Sequence, residues 1–198
     1  MDEHYFSADP AVAFRRAPVH AEVWGRELVL TSGSGVFSQG RLDGGTAVLF
    51  RETRPPTARR FLDLGCGYGV IGLALATAVR GSVVRAVDVN ERAVLLANEN
   101  AAALGVGDRF SAVLPDGVPE GEEYDEIWSN PPIRIGKPAL HDLLLRWLPR
   151  LSTDGRAVLV VGRNLGADSL QRWLGEQGYP TTRVASAKGF RVLETRRG

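Results

Sequence analysis

The sequence predicts an α/β fold: a doubly wound, mostly parallel sheet with helices on both faces. From Arg60 onward, short apolar runs rich in β-branched residues alternate with longer runs of helical periodicity, the pattern of repeated strand–helix units. The chain has 198 residues, of which 44% are hydrophobic and 24% charged, as in an ordinary globular protein. This length and composition predict one structural domain overall.

The predicted elements follow one another in alternation. Strands are predicted at 61–64, 83–87, 109–114, 125–128 and 156–161, and helices at 70–80, 91–104, 140–151 and 167–177. Asn90 can cap the second helix and Gly105 can close it, whereas Pro149 should end or kink the third. Residues 181–186 and 190–195 are predicted to form an antiparallel hairpin over Lys188-Gly189 that closes a seven-stranded sheet.

The first 58 residues have a different pattern and are predicted to form a β-rich arm ahead of a core at 59–198. Residues 22–31 resemble two strands around Gly25, and 32–40 form a loop rich in glycine and serine. Residues 51–60, which contain Pro55-Pro56, are predicted to link the arm to the core.

Composition excludes several classes of protein. The net charge of +1 gives no global cationic field for nucleic acid. One cysteine cannot form an internal disulfide and suits a reducing compartment. The longest apolar run, 70–79, is too short to span a bilayer, the charged start resembles no signal segment, and the histidines lack metal-ligand spacing. We therefore expect a cytoplasmic protein without a membrane segment or a metal.

A glycine-rich turn, Asp63-Leu-Gly-Cys-Gly-Tyr-Gly69, follows the first core strand and precedes its helix. Read from Gly67, the chain matches G-x-G-x-x-G, and Asp88 lies about 20 residues on, where dinucleotide-binding proteins carry a ribose-binding acid. This pattern alone does not separate a nicotinamide cofactor from S-adenosylmethionine. Asp63 favours the latter, because its carboxylate would repel a pyrophosphate and attract the ammonium of a methionine group.

The segment Asn130-Pro131-Pro132-Ile133 directly follows the strand predicted at 125–128 and Ser129. Proline fixes φ and has no backbone N–H, so the chain must leave the sheet in a stiff, extended segment. This geometry leaves Asn130 at the carboxyl end of the strand beside two free carbonyls. Such a group of acceptors can hold an amine in the plane of a ring or an amide, which predicts an enzyme that methylates planar nitrogen.

Together these motifs resemble the class I S-adenosylmethionine-dependent methyltransferases, and among them the small-domain group of ribosomal RNA guanine-N2 methyltransferases of the RsmC type. The resemblance implies a Rossmann-like methyltransferase fold. It covers nearly the whole chain, through the segments His4-Tyr-Phe-Ser7, Gly35-Val-Phe-Ser38, Leu42-Asp-Gly-Gly-Thr46, the glycine turn, Val87-Asp-Val-Asn90, Asn98-Glu-Asn100 and Asn130-Pro-Pro-Ile-Arg-Ile-Gly-Lys137.

The resemblance implies S-adenosyl-L-methionine as the cofactor and assigns its contacts. The methionine end of the cofactor would contact the glycine turn, and its ribose hydroxyls would bind an acidic residue. The residues next to that acid would contact the adenine, and the arm would fold across the bound cofactor. The implied cofactor-binding residues are, in chain order, Phe37, Ser38, Asp63, Gly65, Cys66, Gly67, Asp88, Val89, Asp116, Gly117 and Asn130. Asp43 and Thr46 are implied to fix the arm.

The same resemblance implies that Asn130, Pro131 and Pro132 hold the target amine. Ile133 departs from the aromatic residue of adenine-N6 and glutamine-N5 methyltransferases, which favours guanine-N2. A flipped base still needs a stacking face, for which Phe37 or Trp128 is the candidate. The implied substrate-binding residues are Phe37, Ile133, Arg134 and Lys137.

Ribosomal RNA or the small ribosomal subunit is the expected partner. Two-domain members of the group carry an additional amino-terminal domain that this chain does not match. We therefore expect docking through the arm and through basic edges that include Arg15-Arg16, Arg134 and Lys137. Two other functions stay open. The substrate could be a protein glutamine or a small-molecule amine, or the chain could be a catalytically silent, cofactor-binding ribosome-assembly factor.

Overall fold

The computed structural model describes residues 13–38 and 40–198. The arm contains an antiparallel hairpin of β1 (Arg16–Val23) and β2 (Arg26–Gly33), followed by helix α1 (Gly44–Glu52). The rest of the chain alternates strands and helices, in the order β3 (Arg60–Leu64), α2 (Val70–Ala78), β4 (Val83–Val87), α3 (Glu91–Ala103), β5 (Phe110–Val113), β6 (Tyr124–Ser129), α4 (Lys137–Trp147), β7 (Leu151–Gly162), α5 (Ala167–Glu176), β8 (Thr181–Ala187) and β9 (Phe190–Arg196).

The predicted seven-stranded sheet is confirmed, with the strand order β5-β4-β3-β6-β7-β9-β8. The first five of these strands run parallel, and β9 is antiparallel to both of its neighbours. The chain moves outward from β3 to β5 and then returns to place β6 on the other side of β3. This reversal leaves a crevice at the carboxyl ends of β3 and β6, where open α/β sheets bind their ligands.

Helices cover both faces of the sheet, as expected for a doubly wound fold. One face packs against α1, α2, α3 and the hairpin in a single hydrophobic cluster, to which β3 contributes Phe61. The other face packs against α4 and α5, and β3 contributes Leu62 and Leu64 to it. Alternate residues of one strand therefore enter opposite cores, which is the two-residue period of an extended chain.

Helix α1 is the element that the sequence analysis missed. Its N-cap is Asp43, whose side chain accepts hydrogen bonds from the backbone N–H groups of Gly45 and Thr46. The following apolar residues are buried against the sheet. Two consecutive glycines lower the helix propensity of the segment, so it resembled a continuation of the loop. The signal that could have revealed the helix was an aspartate, a preferred N-cap residue, one turn before the apolar run that begins at Ala47.

Smaller differences concern element boundaries. Helix α4 begins at Lys137 rather than at residue 140, because Pro138 is compatible with a first helical turn. It ends at Trp147, ahead of Pro149, as predicted. Strand β7 begins at Leu151, and its pairing with β6 shifts between Tyr124 and Glu126. The predicted strand 156–161 is therefore the regular part of a longer strand that is bulged at 152–155.

The arm and the core share hydrophobic contacts and polar bonds. Apolar residues of β1 and β2 lie in the same cluster as those of α2 and α3. The side chain of Asn100 in α3 bonds both the N–H and the carbonyl of Thr31, at 2.8 and 2.9 Å, and it also donates to the carbonyl of Tyr68. Arg16 forms an ion pair with Glu99. The arm is thus held directly against the helix beside the glycine turn.

Candidate active site

A cavity of about 660 Å³ opens at the carboxyl ends of β3 and β6. This volume lies within the range of sites that bind small molecules and cofactors. Its walls come from the arm, the two strand ends and the start of β9. The lining residues are Val36, Phe37, Ser38, Arg41, Asp43, Gly65, Gly67, Asp88, Asn90, Ala93, Asn130, Pro131, Pro132, Ile133, Gly162, Leu165 and Phe190.

The glycine turn forms the floor of the cavity. Gly65 and Gly67 have φ values of 72° and 54°, in the left-handed region that side chains disfavour. The N–H groups of Gly65 and Cys66 both donate to the carbonyl of Val87, at 2.8 and 3.0 Å. Cys66 itself is buried and does not line the cavity, and burial raises the pKa of its thiol well above the ordinary value. A neutral, buried thiol is not a nucleophile.

Asp88 lies at the edge of the floor with both carboxylate oxygens engaged. One oxygen accepts from the N–H of Gly67 at 2.9 Å and the other from the N–H of Asn90 at 3.0 Å. Burial raises the pKa of Asp88, against the effect of these bonds. Each carboxylate oxygen can accept a further bond, so Asp88 can bind a pair of hydroxyls. The side chain of Val89 is 45% exposed but is not part of the lining.

Asp63 lies below the surface of the cavity floor. Its side chain is completely buried, and one oxygen accepts from the N–H of Gly72 at 2.8 Å. The second oxygen has no hydrogen-bond partner within the described part of the chain. Burial raises the pKa of Asp63 to about 7. Asp63 does not line the cavity, and its bond to Gly72 holds the start of α2; its contact with the ammonium of a methionine group stays a prediction.

Asn130 is held by the first turn of α1. Its side-chain amide nitrogen lies 2.7 Å from a carboxylate oxygen of Asp43 and 3.0 Å from the hydroxyl of Thr46. The same carboxylate oxygen accepts from the backbone N–H groups of Gly45 and Thr46. Asp43 and Thr46 therefore join the arm to the strand end that carries Asn130.

The two prolines after Asn130 turn more tightly than predicted. Pro132 has φ −73° and ψ 73°, and the carbonyl of Pro131 accepts from the N–H of Ile133 at 2.8 Å, which defines an inverse γ-turn. The carbonyl of Pro132 accepts from Ile135. The sequence predicted two free carbonyls, whereas each of these carbonyls accepts one backbone hydrogen bond. Each keeps a second lone pair that can accept another. A Cβ on Gly65 would lie 3.7 Å from Pro132, so this turn contacts the cavity floor.

Two phenylalanines line the cavity. Phe37, on the arm, is 39% exposed, and Phe190 begins β9. Phe190 was not predicted as a site residue, because nothing in the sequence indicated that β9 begins beside Gly162 at the end of β7. Trp128, the alternative stacking candidate, is wrong: it is 1% exposed, and its indole N–H donates to Glu126 at 2.7 Å. Arg41 and Leu165 are further lining residues that no sequence motif indicated.

Other predicted site residues lie outside the cavity. Asp116 and Gly117 form part of a short 3-10 helix, and the almost fully exposed carboxylate of Asp116 pairs with Arg146 at 3.1 Å. Lys137 lines an adjoining cavity of about 370 Å³ that shares Ile133 and Leu165 with the first. The segment His4-Tyr-Phe-Ser7 and the side chain of Arg134 lie outside what the structure describes.

Residues 13–38 and 40–198 contain neither a metal-binding cluster nor a membrane-spanning helix. In this part of the chain no three acidic, histidine or cysteine side chains lie close enough together to hold a metal ion. Nor does it contain a helix with the length and apolar character needed to cross a bilayer.

The chain is similar in sequence to known proteins. The family model described as the methyltransferase small domain matches residues 27–194. The uncharacterized protein YbxB of Bacillus subtilis (strain 168) is 32% identical over 200 aligned residues that span both chains. Ribosomal RNA small subunit methyltransferase C of Pseudomonas aeruginosa (strain LESB58) is 36% identical over 86% of this chain. The alignment covers 52% of that protein, so this chain spans about half its length.

Solved structures share the fold. RsmC of T. thermophilus, a 16S rRNA N2 methyltransferase in complex with AdoMet and guanosine, superposes with a TM-score of 0.81 at 24% identity, over 96% of this chain and 53% of that one. A TehB-like SAM-dependent methyltransferase from Corynebacterium glutamicum superposes with a TM-score of 0.61 at 20% identity, over 80% and 90% of the two chains. At 24% and 20% identity, these two superpositions show a shared fold and nothing beyond it.

Proposed function

Because the chain belongs to the methyltransferase small domain family, whose cofactor is S-adenosylmethionine, we propose that it methylates the exocyclic N2 amine of a guanine in 16S ribosomal RNA in the cytoplasm. The S-adenosylmethionine-dependent methyltransferase class follows from the family. The guanine N2 target is the proposal, and one observation supports it: Asn130 lines a cavity that two phenylalanines also line, and its amide nitrogen is bonded to Asp43 and Thr46, which leaves its side-chain oxygen as the acceptor for an amine.

The cavity fits the cofactor on geometric grounds. The floor formed by Gly65 and Gly67 has no side chains, so backbone can approach a ligand closely. Asp88 would bind the ribose hydroxyls, and Phe37 and Ser38 would cover the cofactor from the arm. Asp116, which lies outside the cavity, is not part of this set. When bound, S-adenosylmethionine supplies an electrophilic methyl group on a sulfonium.

The protein's own contribution is positioning and charge stabilisation. An exocyclic amine is a weak nucleophile, because its lone pair is delocalised into the ring. Hydrogen bonds from its N–H groups to the Asn130 side-chain oxygen and to the Pro131 carbonyl would hold the amine in line with the methyl donor. The same acceptors would stabilise the positive charge that develops on nitrogen during transfer. One amine proton then passes to water.

Recognition of the base would depend on stacking. Phe37 and Phe190 line the cavity from the arm and from β9, and aromatic faces hold extruded bases. Ile133 adds an apolar contact where an aromatic would stand in adenine-N6 enzymes. Lys137, in the adjoining cavity, would contact a phosphate of the same RNA strand.

Methylation of ribosomal subunits with a radiolabelled methyl donor tests this function. We expect label in the 16S RNA of small subunits from a strain that lacks the gene, and N2-methylguanosine as the only labelled nucleoside in a digest. Asn130→Ala should reduce the initial rate about 100-fold, the effect of losing one group that stabilises a transition state, while the melting temperature stays near that of the parent. Label in protein, in adenosine or in no macromolecule would contradict the proposal.

A further inference from the structure

The amide of Asn130 has an orientation that hydrogen-bond chemistry fixes. A carboxylate can only accept hydrogen bonds, so the end of the Asn130 amide that lies 2.7 Å from Asp43 must be the NH2 group. The second N–H of that group points to the hydroxyl of Thr46 at 3.0 Å. Both amide protons are therefore used. In the described part of the chain, Oδ1 is the one polar atom of this side chain left for the cavity.

Asp43 is itself held rigidly in place. The oxygen that accepts from Asn130 also accepts from the backbone N–H groups of Gly45 at 2.7 Å and Thr46 at 3.0 Å. These N–H groups belong to the first turn of α1, which is packed against β7 and β9 through buried apolar residues. Thr46 is buried as well. Asn130 is thus anchored to the end of a helix rather than to a flexible loop.

The orientation decides what the cavity recognises. An amide that directs its oxygen into the cavity attracts an N–H donor, such as the amine of a guanine, and disfavours a ring carbonyl at the same place. If the Asn130 amide were rotated by half a turn, its NH2 group would face the cavity and would favour a ligand that presents a carbonyl acceptor. The negative charge of Asp43 also polarises the amide and strengthens Oδ1 as an acceptor, where positive charge develops during transfer.

We propose that Asp43 is a positioning and specificity-determining residue, which acts through Asn130 by fixing its side-chain oxygen as the acceptor for the target amine. This inference rests on the proposed function for the identity of the amine. It assigns to the arm a part in substrate selection, in addition to covering the cofactor.

Three variants separate this role from the cap of α1. Asp43→Ser keeps a good N-cap but is too short to reach Asn130, so we expect a fall in kcat of about 100-fold with little change in melting temperature. Asp43→Asn can keep an oxygen in place without the charge, and its kcat should fall about tenfold, the effect of replacing a charged acceptor by a neutral one. Thr53→Val is the matched control, because Thr53 bonds the Leu49 carbonyl at the other end of α1, and its kcat should not change.

Base selectivity gives a readout that a structural role would not affect. With S-adenosylhomocysteine bound, the parent protein should bind guanosine at least tenfold more tightly than inosine, which lacks the 2-amino group. In Asp43→Ser this ratio should approach one, and in Thr53→Val it should equal that of the parent. An unchanged ratio in folded Asp43→Ser would overturn the inference, even if RNA methylation by the parent protein is observed.

A second measurement does not depend on the substrate. In the NMR spectrum of ¹⁵N-labelled protein, the side-chain amide protons of Asn130 should be displaced downfield and protected from exchange, because both are hydrogen-bonded. Asp43→Ser should abolish the displacement, and Thr53→Val should preserve it. If the amide protons of the parent exchange freely, the inference is wrong whatever the substrate. If they are protected but no guanine is methylated, the proposed function fails while the fixed amide stands.

Discussion

The backbone N–H of Gly67 donates a hydrogen bond to the carboxylate of Asp88 at 2.9 Å, across 21 residues of sequence. This bond ties the turn after β3 to the end of β4, the neighbouring strand. The acid assigned to the ribose therefore also shapes the loop assigned to the methionine end. Loss of Asp88 should damage both halves of the cofactor site together.

Asp88→Ala should weaken cofactor binding about 10- to 100-fold, the usual effect of losing hydrogen bonds to a charged group. The measurement is the rise in melting temperature caused by S-adenosylhomocysteine, which depends on its affinity. Asp116→Ala is the matched control, because it removes an acid that lies outside the cavity and pairs with Arg146 at the surface. We expect the control to retain the full rise. Equal losses in the two variants would show that charge, and not the Asp88 contact, is responsible.

Phe190→Leu should raise KM for RNA about tenfold, because stacking of a base on an aromatic ring contributes on the order of 1–3 kcal/mol. Phe190→Tyr keeps the ring and should stay within about twofold of the parent. Phe14→Leu removes an aromatic side chain that is not part of the cavity lining, and its KM should not change. Steady-state kinetics with a 16S RNA fragment measure all three. A Phe190→Leu enzyme with unchanged KM would leave Phe37 as the better stacking candidate.

Gly45→Ala and Gly44→Ala should differ although the two glycines are adjacent in α1. A Cβ at Gly45 would lie 3.0 Å from the carboxylate of Asp43 and 3.0 Å from the ring of Phe190, so one of them must move. A Cβ at Gly44 would lie 3.7 Å from Phe190, an ordinary contact. We expect kcat to fall about tenfold or more in Gly45→Ala, from displaced site residues. Gly44→Ala should retain activity and gain up to about 1 kcal/mol of stability, because alanine favours the helix.

Stability should depend on pH through Asp63. Burial raises its pKa from 3.8 to about 7 in the folded protein. Between these values the folded state holds a proton that the unfolded state has lost, so the free energy of unfolding falls as pH rises from about 4 to about 7 and then levels off. The change should be on the order of 4 kcal/mol. Asp63→Asn cannot titrate, so subtracting its urea-unfolding curve at each pH isolates this contribution. A difference that does not vary with pH would refute the assignment.

The sequence predicted the core of the fold well, for a physical reason. Between β3 and β6, short apolar runs alternate with longer helix-forming runs, which is the pattern of repeated strand–helix units. Asn90 and Gly105 marked the ends of α3, because helix caps depend on residues that are adjacent in the sequence. Helix α1 was missed because two glycines at its start weaken its propensity, and burial of its apolar residues on the sheet supplies the stability that local sequence lacks.

The site residues also differ in whether local sequence or tertiary packing determines them. The glycine turn, Asp88 and Asn130 were recognisable because each has to follow a particular strand, and sequence order determines that. Burial and orientation were not recognisable. Asp63 was expected in the cavity and Trp128 was a candidate stacking face, yet both are buried, because the packing of helices and neighbouring strands decides which strand residues are covered.

The sequence by itself determined the class of fold, the family and the strand ends at which the site is built. Tertiary structure decided which atoms face the cavity. Asp43 and Asn130 are 87 residues apart, and Phe190 reaches the same cavity from the start of the last strand. Local patterns record the period and the caps of each element, whereas the contact between Asp43 and Asn130 exists only once α1 has packed on the sheet, and that packing orients the amide.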